Sequence, residues 1–211
     1  MLGANDGIVS TASIMIGVAA SSASRESVLV AGVAALVGGA LSMAVGEYVS
    51  VSSQRDTEQA DIARERRELA RSPQLEFEEL TDIYVQRGLD RELARKVATQ
   101  LHEADPLGAH LRDELGIHHE VRAQPLQAAY VSAGSFAVGA GVPLLAGVAA
   151  PHDGRIGVIA GIALALLALT GAVGGRIGGA NVTRAALREL IGGGLAMGIS
   201  ALIGDMVGTN I

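Results

Sequence analysis

Apolar residues run almost unbroken over residues 28–51, and the chain then passes, with no proline or turn signal, into QRDTEQADIARERRELAR, which is mostly charged. A helix carried through that change starts in lipid and ends in water. At roughly 1.5 Å per residue, residues 28–71 would extend about 65 Å, about twice the thickness of a hydrocarbon core. Four further apolar runs, over residues 2–20, 126–150, 156–175 and 190–207, are each long enough to cross a bilayer. Between the second and third runs the pattern turns amphipathic. Leu75, Leu80, Ile83 and Tyr84 give an apolar face to a helix that stops at Gly88. Leu93, Val97 and Leu101 give another, from Asp90 to Asp105-Pro106, and a short third helix reaches Gly116. The pattern predicts an all-α protein, a five-span transmembrane helical bundle with an inserted cytosolic domain of three to four helices. The expected divisions are 1–53, 54–122 and 123–211.

Composition sharpens this picture. Gly occupies 28 positions and aromatics only 2%, which suits helices that approach closely in lipid, where burial of apolar surface no longer drives packing. With no Cys, a metal would have to be held by carboxylate, His, Met, backbone or water. A formal charge of −6 without a basic, aromatic-interleaved patch excludes nucleic acid as a partner. The first and third connections hold only Arg25 and Arg155, whereas the amphipathic segment holds most of the arginines and the fourth connection holds Arg176, Arg184 and Arg188. The positive-inside rule then places the amphipathic segment in the cytoplasm. Lys96 is the sole lysine against many arginines, a bias of GC-rich bacterial coding sequence, so the expected location is a bacterial inner membrane.

Along the polar half of the long helix Glu58, Asp61, Glu65 and Glu68 are spaced three, four and three apart, on one face. Like charges one turn apart repel by a few tenths of a kcal/mol per pair. Two things can offset that repulsion: pairing with Arg64, Arg66, Arg67 and Arg71 on a solvated face, or a bound divalent cation. A second acid pair, Glu76 and Glu79, follows Ser72-Pro73, where Ser can cap and Pro can open a helix that folds back on the first pair. Spacing alone leaves the two readings about even. His110 and Glu114 lie four apart on one helical face, a pattern commoner for a surface pair than for metal ligands. His118 and His119 read as ordinary residues beside the membrane. In the first span Asp6 is an ionisable group in an apolar setting, which usually faces a bundle interior or a path.

The strings GANDGIVSTASIMIGVAA, GALSMAVGEYVSVSSQRDTEQADI, RERRELARSPQLEFEELTDIYVQRGL and DELGI resemble the vacuolar iron transporter family, over essentially the whole chain. The resemblance implies a homodimer of five-span subunits that moves Fe²⁺ or Mn²⁺ out of the cytosol in exchange for protons, with no prosthetic group. It puts the family's metal-collecting glutamates on Glu65, Glu68, Glu76 and Glu79, a further acid on Glu114, and intramembrane pathway residues on Asp6 and Met43. Where plant relatives carry paired methionines this chain has His110 and Leu111, so His110 joins the expected ligands. The plant second-span glutamate position is Ala35 here, and Glu47, one turn from Met43, is the expected substitute. The alternatives are a membrane-anchored metal sensor or scaffold, and a carboxylate ferroxidase. The ferroxidase would need Glu-x-x-His ligand pairs, and the amphipathic segment has none.

Overall fold

The computed structural model describes residues 2–117 and 123–209. His118, His119 and the expected domain boundary at residue 122 lie outside them. Among the described residues there is no strand, and the chain runs α1 (Leu2–Ala20), α2 (Arg25–Arg71), α3 (Pro73–Gln86), α4 (Arg91–Ala104), α5 (Pro106–Asp113), α6 (Pro125–Ala149), a 3-10 turn (His152–Gly154), α7 (Arg155–Ile177) and α8 (Val182–Gly208). The apolar-to-charged stretch is one helix of 47 residues. Four helices, α2, α6, α7 and α8, are long and apolar enough to cross a membrane. Among the described residues the expected fifth, α1, is not one of them.

The chain divides into two compact units. One comprises the residues up to Tyr48 with those from Leu126 onward; the other comprises Val49–Pro125. The core of the first is built around α1: Ile8, Ala12, Met15 and Ile16 are buried with Val28, Ile159, Ala163, Leu167 and Met197. Glycine makes this packing possible. A Cβ at Gly204 of α8 would collide with the carbonyl of Gly17 of α1, and one at Gly139 of α6 with the carbonyl of Ala4. Backbone that close leaves no flexible atom to yield. Gly204→Ala should therefore lower the melting temperature of the detergent-solubilised protein by several degrees, the usual cost of an overpacked core being about 1–3 kcal/mol. Gly161→Ala, with nothing within 4 Å of the new methyl, should leave it unchanged.

The fourth connection is shorter than the hydropathy pattern predicts. Asn181 accepts a hydrogen bond from the Arg184 amide and starts α8 at Val182, so Arg184 and Arg188 lie in a helix rather than in a loop. A hydropathy pattern sees only the lipid-compatible part of a helix, and a capped polar first turn escapes it.

The second unit contains the last part of α2 and helices α3 to α5. Leu80, Ala98 and Ala109 form its core, with Phe77, Tyr84 and Leu101 packed against them. The buried face of α4 is Ala94 and Ala98, and Leu93, expected inward, is exposed; the small residues sit where α4 meets its neighbours. Asp90 and Asp105 cap α4 and α5 by accepting from the amides of Leu93 and Gly108. Ser72, expected to do the same for α3, makes no side-chain cap bond; Pro73 in the first turn opens that helix instead.

Candidate metal centre

Three helices of the second unit converge on one buried group of ligand-capable atoms. Glu65 comes from α2, Glu76 from the first turn of α3, and His110 from α5, and one ligating atom of each lies within 4.8 Å of the others. All three are buried, Glu65 to 2% exposure, Glu76 to 9% and His110 to 0%. The Ser72-Pro73 break between α2 and α3 is what lets Glu76 fold back toward Glu65, because it ends one helix and begins the next within two residues.

His110 is held by acids on one edge of its ring. Its Nδ1 lies 3.0 Å from Glu114 Oε2, within hydrogen-bonding geometry, and 3.2 Å from Glu65 Oε1. In the neutral tautomer that carries its hydrogen on Nδ1, that N–H donates to Glu114 Oε2 and Nε2 is left as a lone pair. That Nε2 is fully buried and has no hydrogen-bond partner, and neither has Glu65 Oε1. Unsatisfied buried acceptors are costly in a folded protein, of order 1–3 kcal/mol each. A ligand that accepts electron pairs relieves both.

The electrostatics agree. Burial, and then the Glu114 carboxylate, push the Glu65 carboxyl up to about 7, against a partial opposing effect of His110. Burial followed by the neighbouring Glu79 raises that of Glu76, and burial followed by Glu114 raises that of Glu79. Burial and the mutual repulsion of these acids, only partly opposed by His110, favour a bound positive charge.

The remaining expected ligands fall outside the buried group. Glu68 and Glu79 are exposed, but Glu68 is close enough to act electrostatically on Glu65, Glu76 and Glu79, and Glu79 on Glu76. Glu79 and Glu114 also line an open hollow of about 790 Å³, with Glu78, Asp82 and Asp113, where a hydrated ion could first be attracted. Several other acids are already ion-paired. Glu78 and Asp82 pair with Arg91, Glu78 also with Arg95, and Asp61 with Arg64. For Asp61, the solvated-face reading of the acidic stripe holds.

Sequence reasoning missed the group that holds His110 and Glu114 in place. The Asp113 carboxylate accepts from the Tyr84 hydroxyl at 2.9 Å and from Arg87 and Arg112 at 2.7 Å. These contacts tie the end of α5 to α3. The i,i+3 spacing of Tyr84 and Arg87 is the only sequence signal of it.

In the first unit Asp6 lies exposed on α1, and its carboxylate makes no hydrogen bond or ion pair among the described residues. Met43 and Glu47 are half-buried on α2, one turn apart. No hydrogen bond or ion pair joins these three among the described residues.

The comparisons with known proteins fit this layout. The chain is 48% identical over 205 residues to the vacuolar iron transporter of Acanthamoeba castellanii, covering 97% of this chain and 76% of that protein. It is 39% identical to vacuolar iron transporter homolog 2 of Oryza sativa subsp. japonica, over 93% of this chain and 82% of that one. It is 35% identical over its full length to vacuolar iron transporter homolog 1 of Arabidopsis thaliana, 82% of which is covered. These relatives are eukaryotic and lend nothing to the expectation of a bacterial inner membrane. With four apolar helices, these identities and a match to the VIT family across residues 1–205, this multi-pass membrane chain belongs to the VIT family.

Proposed function

We infer that the chain is a metal transporter and not an enzyme, as its family and named relatives support. We propose that it carries Fe²⁺ or Mn²⁺ out of the cytoplasm in exchange for protons, through five spans that include α1, with the Val49–Pro125 unit collecting the ion on the cytosolic side. The observation that carries this reading is the buried group of Glu65, Glu76 and His110, in which Glu65 Oε1 and His110 Nε2 have no hydrogen-bond partner among the described residues. Two carboxylates and an imidazole suit borderline divalent ions better than Mg²⁺ or Ca²⁺, which prefer all-oxygen sets.

In this cycle Glu68, Glu79 and Glu114 attract the hydrated cation, Glu65, Glu76 and His110 bind it, and Met43, Glu47 and Asp6 pass it through the membrane. A carboxyl that gives up the cation in a buried setting takes a proton, since burial raises its pKa and a nearby cation lowers it. That alternation is the route to antiport.

A homodimer completes the reading. Of the four candidate spans, that of α2 is the least buried, at 11%. Val33, Val37 and Leu41 are exposed along it, and Gly38 and Gly46 face open space. Small residues on an uncovered span favour a second helix over lipid. A partner copy would also cover Asp6, whose charge would otherwise face hydrocarbon.

The test is metal flux. Proteoliposomes holding the full-length protein and a pH-sensitive dye should take up Fe²⁺ or Mn²⁺ and move protons the other way under an imposed proton gradient. Metal binding without flux would overturn the carrier and leave a sensor. Flux without proton movement would overturn the exchange.

A further inference from the structure

At the end of the first unit where α1 turns into α2 and α6 into α7, a hollow of about 470 Å³ opens, lined by Ser22, Asp153, Arg155, Gly157 and the small residues Ala19 and Ala23. We propose that this hollow binds a phosphate group, that of a phospholipid headgroup, held by Arg155 and the first turn of α7. Arg155 is the reason. It lines the hollow yet is only 5% exposed, and its Nε is buried with no hydrogen-bond partner. A guanidinium withdrawn from water to that degree costs several kcal/mol unless charge and hydrogen bonds are returned to it. Its planar fork of donors matches phosphate oxygens two at a time.

The second contribution is the helix. α7 runs 23 residues from Arg155, and its cap residue, Gly154, makes no side-chain cap bond to the amides of the first turn. These amides and the positive end of the helix dipole favour an anion at the place that Arg155 serves. Arg25 donates to the Val148 carbonyl, and Asp153 is itself engaged. Glu26 lies within electrostatic range of Arg155, but no hydrogen bond or ion pair joins the two among the described residues. Apart from Asp153, Arg155 and Ile156 the lining consists of Ala, Gly and Ser, which leaves room for a tetrahedral group.

The location selects the source. The hollow sits where the apolar helices α2, α6 and α7 start or end, the depth of phospholipid headgroups. Free phosphate has the same chemistry and no reason to concentrate there.

Native mass spectrometry of the full-length protein in mild detergent, with dioleoyl phosphatidylglycerol added, tests this. Wild type should retain one lipid per chain, and Arg155→Gln about tenfold less. Ser22→Asp gives an independent variant. Ser22 has φ of 62°, a conformation Asp tolerates, and the added carboxylate should expel the headgroup by a similar factor while Arg155 stays. Should Arg155→Gln fail to fold, Ser22→Asp decides. If inorganic phosphate raises the melting temperature of wild type but of neither variant, and no lipid is retained, the hollow is a phosphate site and the headgroup assignment is overturned. Equal retention of lipid by wild type and both variants overturns the proposal. So does wild type that holds phosphatidylglycerol no better than diacylglycerol and does not respond to phosphate.

Discussion

Glu65→Gln is expected to weaken Mn²⁺ binding to the purified full-length protein by about a hundredfold or more, measured by calorimetry. Loss of a residue that only orients a ligand typically costs about ten- to a hundredfold, and Glu65 is placed to be a ligand. Gln has the same shape but cannot supply the charge. His110→Ala should act comparably, and Glu114→Gln by about tenfold, because Glu114 orients the His110 ring through Nδ1. Exposed Glu68 should matter less. The pH dependence has a definite sign. With the Glu65 carboxyl at about 7 in the folded protein, an ion must displace a proton below that pH. Wild-type affinity should then fall about tenfold per pH unit just below 7, and that of Glu65→Gln, which keeps only Glu76 and His110, should fall less steeply there. Stability of the metal-free protein goes the opposite way to a salt bridge. A carboxyl whose folded pKa lies above its unfolded value of 4.5 is destabilising once ionised: its contribution is most favourable below pH 4.5 and is lost as pH rises through about 7. Glu65→Gln should therefore melt higher than wild type at pH 8 without metal, while failing to bind it. If Glu65 and His110 form a structural ion pair instead, the variant melts lower, and the metal assignment is lost.

That opposition between binding and stability could not be read from the sequence, although much around it could. The pattern of apolar and charged runs predicts α2 as one helix. The pairs Glu65 and Glu68, and Glu76 and Glu79, follow from three-residue spacing on either side of a proline break. These are local rules, in which helix period, turn chemistry and charge spacing act within a few residues. What escaped is tertiary. A histidine and a glutamate four apart on α5 look like a solvated pair, and only the packing of α5 against α3 and α4, with the Glu65 side of α2 closing over it, makes His110 fully buried. The same packing separates Glu65 and Glu76 from Glu68 and Glu79, which have the same spacing but lie on the wet side. Arg155 illustrates the limit again. In sequence it is a single basic residue in a short loop that helps to set orientation; in the fold it is the first residue of α7 and almost wholly buried.

Asp6→Asn is expected to abolish metal flux in proteoliposomes while leaving calorimetric metal binding by the same protein nearly unchanged. The two sites belong to different units, and Asp6 lies on α1, exposed and without a hydrogen-bonding partner for its carboxylate. A partly dehydrated divalent ion in a medium of low dielectric costs several kcal/mol or more without a compensating charge, and Asp6 is the acid of α1 able to supply it. Asn retains the oxygen and removes the charge, so flux of every ion should fall together. Met43→Ala should behave differently. A thioether is a soft ligand that discriminates Fe²⁺ from Mg²⁺ and Ca²⁺ without adding charge, so its loss should erode selectivity more than rate. Glu47, one turn further along α2, separates the two cases. If it is the second charge of the pathway, Glu47→Gln should cut flux as Asp6→Asn does, and if it is only a residue at the membrane surface, flux should survive. Undiminished transport by Asp6→Asn would remove the intramembrane site from α1 and with it the argument that a partner copy covers that face to shield a charge.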